Sequence, residues 1–408
     1  MTKAPWNYLK KHPLPIGLDW AATGMRTVQL CRRGHEINLF SAMELPLADS
    51  EDTTIANIST ETEEDNPDTD KSGKEVKHLL ETLYQKGEFC GTSFIIHCPA
   101  DRLDLRPITL PAGAEKLPHD TMVQTIRLQM KPHIHFNIDE AIIDYYPLST
   151  NNTTNHKLIA VTADGAWIRQ RVKQLHAWGW QCAGVIPLPS ALSRLAKTIT
   201  PDSPALAEDT TQLLKPILCI GHHHMVLTVH LDEGPVFSRV FDFGGEAMAD
   251  ALALRLQVNF AQAHQLIRTY GLSGPEHAFS TLKDTANSRT TLATMDSKPV
   301  HPHQEIARAV RVALRDEVLQ LAEGLTRALN YIINEYPQAK LGKVYCCGGG
   351  AHTPGLTEEL GAQLDWPVAI INHPLLNEIQ NQWPVSRAPA GQWATALALA
   401  YPQEDLTP

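Results

Sequence analysis

The sequence predicts a two-lobed α/β protein, and three observations lead to that fold class. A pattern of three strands followed by a helix occurs twice, first near residue 16 and again near residue 217. Residues 99–182 carry a separate α/β pattern between the two copies. The chain has 408 residues, enough for two to three domains of roughly 100–200 residues each. Repetition of one strand–helix pattern is typical of two related lobes.

The first copy begins with three predicted strands. Residues 14–47 indicate a strand, a turn and two further strands, with Gly34-His35 as a hairpin turn. Residues 48–74 are acidic, rich in Thr, Ser and Asp, and poor in aromatic side chains, so they predict a disordered loop. The first copy continues with a helix expected at 75–86 and a buried strand at 93–98. A short strand and a helix are expected later, at 183–198, and a linker follows at 200–209.

The second copy begins with a three-stranded meander and continues into a helix after Phe243-Gly244-Gly245. Residues 271–303 lack periodicity and predict a loop. Apolar residues then recur at three- and four-residue spacing from Glu305 to Tyr336, which predicts a long amphipathic helix. A strand at Val344–Cys347, a glycine turn and further short elements follow.

These patterns divide the chain into four expected segments. They are a first lobe at 1–98, an inserted subdomain at 99–182, a return to the first lobe with a linker at 183–210, and a second lobe at 211–408.

Composition excludes some classes of function. A formal net charge of −10 and a pI of about 6.0 argue against a general nucleic-acid binder, which needs a basic face. No apolar run reaches about 18 residues, so no membrane-spanning helix is predicted. The seven cysteines are odd in number and most lie in apolar runs, which indicates reduced thiols in a cytosolic protein.

Three loops carry the chemistry. Gly17–Thr23 begins in the first apolar run of the chain, Cys219-Ile220-Gly221 opens the second meander, and Cys346–Leu356 contains three consecutive glycines. Turns of glycine and small hydroxyl residues bring backbone N–H groups close to phosphate oxygens. In this order and spacing the loops resemble the two phosphate loops and the adenosine loop of the actin-like ATPases.

Within that superfamily, the sequence is most similar to the PilM group of type IV pilus assembly proteins. The similarity also includes Val236–Arg239 with the following Phe243-Gly244-Gly245, Asp139–Tyr146, and the closing segment Gly391–Ala400. It extends over about 14–401, apart from the two predicted loops. The resemblance implies an actin-like, ribonuclease H-like fold in which 99–182 is an FtsA/PilM-type inserted subdomain.

The resemblance also implies a nucleotide site for ATP and Mg²⁺. Its residues would be Asp19, Ala22, Thr23, Arg26, Gly221, Gly244, Gly245, Gly348, Gly349 and Gly350. Asp19 would face the metal through a bound water. From the residues alone, Asp19 is equally well interpreted as a cap on a strand turn, and Gly348–Gly350 as a tight turn without a nucleoside.

The first two loops and the following helix depart from the family pattern. Ala21 replaces the expected turn glycine, and Cys219 replaces the expected second aspartate. His264 and Ile267 stand where the family usually has Glu and Lys. Removing a metal carboxylate or a turn glycine costs on the order of several kcal/mol of transition-state stabilisation. We therefore expect a degenerate ATPase with no assignable catalytic residue.

His222-His223-His224 follows the second loop and has two interpretations. It is either a metal site or a solvated turn. Consecutive residues on a strand alternate between faces and cannot converge, which favours the solvated turn.

The resemblance implies a cytoplasmic scaffold, peripheral to the inner membrane. Such a protein binds the cytoplasmic tail of a bitopic membrane protein, PilN, in a groove between the first lobe and the inserted subdomain, and links the envelope complex to the pilus motor. The oligomeric state is left open. Two alternatives remain: an active actin-like ATPase or sugar kinase, and an FtsA-like filament or GspL-like secretion protein. The lack of a C-terminal amphipathic helix disfavours FtsA, and the lack of an apolar span after residue 380 disfavours GspL.

Overall fold

The structure is a computed structural model that divides into two compact units. It describes residues 12–21, 24–46, 67–111, 113–147, 155–199, 212–231, 234–273, 302–382 and 389–402. The first unit comprises Met1–Thr200, Thr228–Arg239 and Asn372–Pro408, and the second comprises Pro201–Leu227 and Val240–Ile371. Among the helices described, none is both long and apolar enough to cross a lipid bilayer.

Strands are interspersed with helices along the described part of residues 12–198. The strands are β1 (His12–Pro13), β2 (Ile16–Ala21), β3 (Gly24–Arg33), β4 (Glu36–Pro46), β5 (Ser93–Cys98), β6 (Leu103–Pro111), β7 (Ile142–Pro147), β8 (Asn155–Ala163) and β9 (Gln181–Pro187). The helices are α1 (Pro67–Lys86), α2 (His119–Met130), α3 (Gly165–Ala177) and α4 (Leu188–Thr198).

The main sheet of the first unit is mixed. Its order is β1-β3-β2-β5-β9, with β4 paired to β3. β2, β3 and β4 form the predicted antiparallel meander, and the hairpin turn at Gly34-His35 is confirmed. β5 and β9 extend the sheet in parallel from β2. One face of this sheet forms a core with α1 and α3, to which Leu18, Phe94, Leu80 and Leu175 contribute fully buried side chains.

α1 begins earlier than predicted. Residues 67–74, assigned above to a disordered loop, are helical. Pro67 is the first helical residue, where the fixed φ of proline suits a helix start. The rest of that predicted loop lies outside the described residues, as do the predicted linker at 200–209 and most of the loop at 271–303.

The inserted part has its own sheet and core. β6, β8 and β7 pair antiparallel in that order. α2 covers the sheet, and Met122, Ile126, Leu110 and Leu158 are buried between them. α3, which was expected in this subdomain, instead packs on β9 of the main sheet. Leu175 of α3 lies in the core of that sheet, so the separately packed part is shorter than 99–182.

The next part of the chain contains β10 (Leu213–Ile220), β11 (Met225–Leu231), β12 (Gly234–Phe241), α5 (Gly245–Leu256), α6 (Phe260–Thr269), α7 (Pro302–Glu335), β13 (Lys340–Leu341), β14 (Val344–Cys347), α8 (Leu356–Gln363) and β15 (Val368–Ile370). β10 pairs in parallel with β13 and β14, and β14 pairs in parallel with β15. α5 packs on α6 and on the long α7, whose predicted amphipathic face supplies the buried Leu314 and Leu325.

The last helices are α9 (Pro374–Gln382) and α10 (Ala394–Ala400). We expected 211–408 to form one lobe, but Asn372–Pro408 groups with the first unit. α10 packs on β2 because Gly17 allows a close approach, since a Cβ on Gly17 would lie 2.3 Å from the Ala396 carbonyl oxygen. All seven residues of α10 are buried.

Candidate functional site

Asp19 lies within β2, directly opposite Arg26 of β3. Its carboxylate is buried and has two basic neighbours. Arg26 Nη1 lies 3.9 Å from Asp19 Oδ2, and His97 Nε2 lies 3.4 Å from Asp19 Oδ1. Asp19 is therefore a mid-strand residue, and its carboxylate is surrounded by partners from the same unit.

Arg26 joins Asp19 to a larger polar network. Its Nη2 lies 3.0 Å from Glu44 Oε1 and donates a hydrogen bond of 3.0 Å to Gln392 Oε1. The side chains of Arg26, Asp19 and Glu44 are only 9–12% exposed. Burial strengthens such pairs, and it also makes an unpaired member costly. Ala22 and Thr23, which complete the first predicted phosphate loop, lie outside the described residues.

The second predicted phosphate loop is a tight turn at the end of β10. Gly221 N–H donates to the His224 carbonyl over 3.0 Å, and a Cβ on Gly221 would lie 2.9 Å from that oxygen. Cys219, in the position of the expected aspartate, is buried beside Cys347 of β14. A buried thiol there supplies no carboxylate for Mg²⁺.

The start of α5 is packed on this turn. Gly245 N–H donates to the Gly221 carbonyl, and Glu246 N–H donates to the His222 carbonyl, over 3.1 Å and 2.9 Å. A Cβ on Gly244 would lie 2.2 Å from the His222 carbonyl oxygen. The glycine is thus required by the packing, and two N–H groups at this helix start are already hydrogen-bonded within the protein.

The three-glycine loop packs on the same strand end. Gly348 has a φ of +85°, and a Cβ there would lie 2.5 Å from the Ile220 carbonyl oxygen. A Cβ on Gly350 would lie 2.4 Å from a methyl carbon of Ile220. Gly349 lies between them, at the start of a 3₁₀ turn. Gly221, Gly244, Gly245 and this loop are therefore brought together around the end of β10.

Among the residues that the structure describes, one of the two positions expected to face Mg²⁺ has a carboxylate, that of Asp19. Mg²⁺ prefers carboxylate and water oxygens. In the second unit Cys219 replaces the carboxylate, and in the first unit Asp19 faces Arg26 and His97. A Cβ on Gly221, Gly244, Gly348 or Gly350 would lie less than 3.0 Å from a backbone oxygen or from the Ile220 side chain.

A different group of donors lies beside the turn. His223 Nδ1 is 2.6 Å from Glu246 Oε2, and the rings of His222 and His223 are 4.6 Å apart between centroids. Burial lowers the pKa of His222 from its usual 6.5, and the neighbouring His223 lowers it further. One ligand atom from each of His222, His223 and Glu246 lies within 4.8 Å of the others.

For His222-His223-His224 the sequence favoured a solvated turn over a metal site, because consecutive residues on a strand alternate between faces and cannot converge. The structure places 221–224 in a turn, as the second interpretation required, and a turn lets His222 and His223 approach one side chain. Their partner Glu246 is 23 residues away from His223 in sequence. His264, noted only as a departure from the family pattern, lies with its ring centroid 6.2 Å from that of His222.

In the inserted sheet, the segment Asp139–Tyr146 leads into β7. β7 pairs with β8 and lies at one end of the three-stranded order, so within the described residues its other edge carries no strand. Ile142 at its start is 46% exposed. At the other end, the hydroxyl groups of Tyr146 and Ser190 of α4 are hydrogen-bonded over 2.7 Å.

Comparisons with known proteins place these features in a family. The family model described as type IV pilus assembly protein PilM matches residues 17–282. A solved PilM–PilN type IV pilus biogenesis complex is similar in fold, with a TM-score of 0.64 and 19% identity, over 95% of this chain and 97% of that one. The comparison with curated proteins found no match.

Weaker similarities extend to other solved structures. The ethanolamine utilization protein EutJ from Carboxydothermus hydrogenoformans has a TM-score of 0.47 and 13% identity, over 96% of this chain and 91% of that one. MreB 5 of Spiroplasma citri bound to AMPPNP has a TM-score of 0.43 and 12% identity, over 92% and 95%. The similarity to the solved PilM carries the fold assignment, which is the actin-like fold that the sequence predicted. The family match covers more than half of the chain, which therefore belongs to the PilM family of type IV pilus assembly proteins.

Proposed function

We propose that this protein is a scaffold of type IV pilus assembly that binds the short cytoplasmic tail of a PilN-like bitopic membrane protein. The observation that carries the proposal is the similarity, over 95% of the chain, to a PilM solved in complex with PilN. In this proposal the protein lies in the cytoplasm, peripheral to the inner membrane. It connects the envelope-spanning complex to the pilus motor.

The proposed binding surface is the open edge of β7, in the groove between the inserted sheet and the rest of the first unit. An edge strand offers unpaired N–H and C=O groups, to which an extended peptide adds as a further strand. Ile142 supplies an exposed apolar side chain next to that edge. The Tyr146–Ser190 hydrogen bond fixes the other end of β7 against α4, so that the edge is presented on a rigid support.

In this proposal, binding does not depend on ATP. β7 and its supports belong to the first unit, and Cys219 and the glycines around Ile220 belong to the second. The loss of the second aspartate therefore leaves the peptide surface unchanged. The nucleotide site is proposed to be degenerate, with Asp19 serving the ionic network rather than Mg²⁺.

The test is a titration of this protein with the tail peptide encoded beside its gene, with and without ATP. Binding is measured by calorimetry or by fluorescence anisotropy. We expect micromolar affinity in both conditions, which corresponds to about −8 kcal/mol. Ile142→Asp should weaken binding by about tenfold or more, equivalent to roughly 1.4 kcal/mol, because it places a charge at an apolar anchor.

The matched control is Leu128→Asp, which introduces the same charge on α2 of the inserted part, where Leu128 is 75% exposed. Binding should be unchanged in this variant. Absence of binding by the wild-type chain in both conditions would refute the scaffold proposal. Binding only with ATP would show that the nucleotide loops still control the peptide surface. If both substitutions weaken peptide binding equally, the peptide does not bind at the edge of β7.

A further inference from the structure

The group formed by His222, His223 and Glu246 has the composition of a metal site. We call these three residues the histidine cluster. Two imidazole nitrogens and one carboxylate oxygen lie within 4.8 Å of one another. The turn contributes both histidines and the first turn of α5 contributes the glutamate, so ligands from two elements converge.

The backbone beneath the histidine cluster is fixed from both sides. The turn is closed by the Gly221–His224 hydrogen bond. It is joined to α5 by two further hydrogen bonds, from Gly245 and Glu246 N–H to carbonyls of the turn. Gly244 brings the two backbones into contact at the His222 carbonyl. Ligands on a fixed backbone lose little freedom when an ion binds, which raises affinity.

The electrostatics of this helix start also permit a cation. The N-terminus of a helix carries a partial positive charge on its unpaired N–H groups, which disfavours cations. Here two of these groups are hydrogen-bonded to carbonyl oxygens of the turn, and the carboxylate of Glu246 adds a full negative charge. The side chains of His223 and Glu246 are 33% and 39% exposed, so an ion can reach them from solvent.

We propose that the histidine cluster binds a divalent transition-metal ion, of which Zn²⁺ is the best fit. Nitrogen ligands favour Zn²⁺ over Mg²⁺ and Ca²⁺, which take oxygen ligands. Zinc–ligand bonds of about 2.0–2.2 Å separate ligand atoms by roughly 3.3 Å. The His223–Glu246 contact of 2.6 Å must therefore open slightly, through rotation of two partly exposed side chains.

A fourth ligand comes from water or from His264, whose ring centroid lies 6.2 Å from that of His222. This proposal does not depend on peptide binding, which involves the other unit.

The experiment uses the tag-free full chain and Zn²⁺ as the probe. Calorimetry should give one Zn²⁺ per chain with a Kd of about 1 µM or tighter. Loss of a supporting hydrogen bond alone weakens metal sites by about 10–100-fold, so His223→Gln and Glu246→Gln should each weaken binding by at least ~100-fold. Zn²⁺ should raise the unfolding midpoint of the wild type and have little effect on either variant.

The control variant is His224→Gln, which removes the adjacent histidine of the same turn. His224 Nδ1 lies 3.6 Å from Asp242 Oδ1 and is outside the histidine cluster. Affinity should be unchanged in this variant. A Co²⁺-substituted sample should show an absorption spectrum of nitrogen and oxygen ligands, without thiolate charge transfer.

Several results would overturn the proposal. One is failure of the wild-type chain to bind Zn²⁺ at micromolar concentration. Another is equal affinity in all three variants, which would indicate an adventitious site. Thiolate absorption with Co²⁺ would assign the metal to the cysteines instead. If a variant folds poorly, the Co²⁺ spectrum of the wild type still decides the ligand type.

Discussion

The strands β2 and β10 occupy the same position in the two copies of the repeat, and they match different parts of the family pattern. β2 retains Asp19, whose carboxylate contacts Arg26 and His97. β10 has Cys219 in the matching place, buried against β14. The end of β10 instead retains its glycine packing, around Ile220 and His222. A residue that matches a family motif can thus have a structural role, and its presence alone does not show that a ligand binds there.

The largest expected effect tests the ionic network at β2. Arg26→Met would leave the buried carboxylates of Asp19 and Glu44 without their guanidinium partner. We expect the free energy of unfolding to fall by about 3–5 kcal/mol, as for other buried pairs with one member removed. Urea denaturation at neutral pH is the measurement.

Arg33→Met is the matched control for this variant. Arg33 is on the same strand β3 but is exposed, so its removal should change stability by less than about 0.5 kcal/mol. If both variants are equally stable, the ionic network at Asp19 does not stabilise the fold. That result would favour a role for Asp19 in binding Mg²⁺.

The second prediction tests the glycine packing at the end of β10. Gly244→Ala places a methyl group 2.2 Å from the His222 carbonyl oxygen, so the turn and α5 must separate. Overpacking of this kind costs about 1–3 kcal/mol. The measurement is again urea denaturation.

Gly184→Ala provides the comparison, because a Cβ on Gly184 of β9 meets nothing within 4 Å. That variant should unfold at nearly the wild-type urea concentration. Equal stability of the two variants would mean that the contact of α5 with the turn is loose. It would also weaken the preorganisation of the histidine cluster.

The smallest expected effect concerns catalysis. With Mg²⁺ present, purified protein should hydrolyse ATP no faster than a buffer control, because the carboxylate is missing at Cys219 and the turn glycine at Ala21. Phosphate release measured over hours gives the required sensitivity. Turnover above the control that disappears in Asp19→Ala would contradict this expectation and revive the ATPase alternative.

Much of the fold could be predicted from sequence because its elements are encoded locally. An apolar run that opens at Pro15–Asp19 and continues from Met25 to Cys31 predicted the meander of β2, β3 and β4, and Gly34-His35 marked its hairpin turn. Apolar residues at three- and four-residue spacing predicted α7 within three residues of its observed ends. The three loops could be recognised because each is encoded by a short segment of consecutive residues that contains glycine. The actin-like fold followed from their order.

Only the tertiary structure decided which distant residues meet. Arg26 and Gln392 are 366 positions apart, yet they are hydrogen-bonded, and α10 joins the first unit through Gly17. His223 and Glu246 become partners because the turn that carries the histidines is hydrogen-bonded to the start of α5. Periodicity reports which face of an element is apolar, whereas such contacts depend on the path of the chain between elements. The sequence therefore determined the elements and the family. Packing decided the partners of Asp19, the contacts of the loop glycines and the grouping of the histidine cluster.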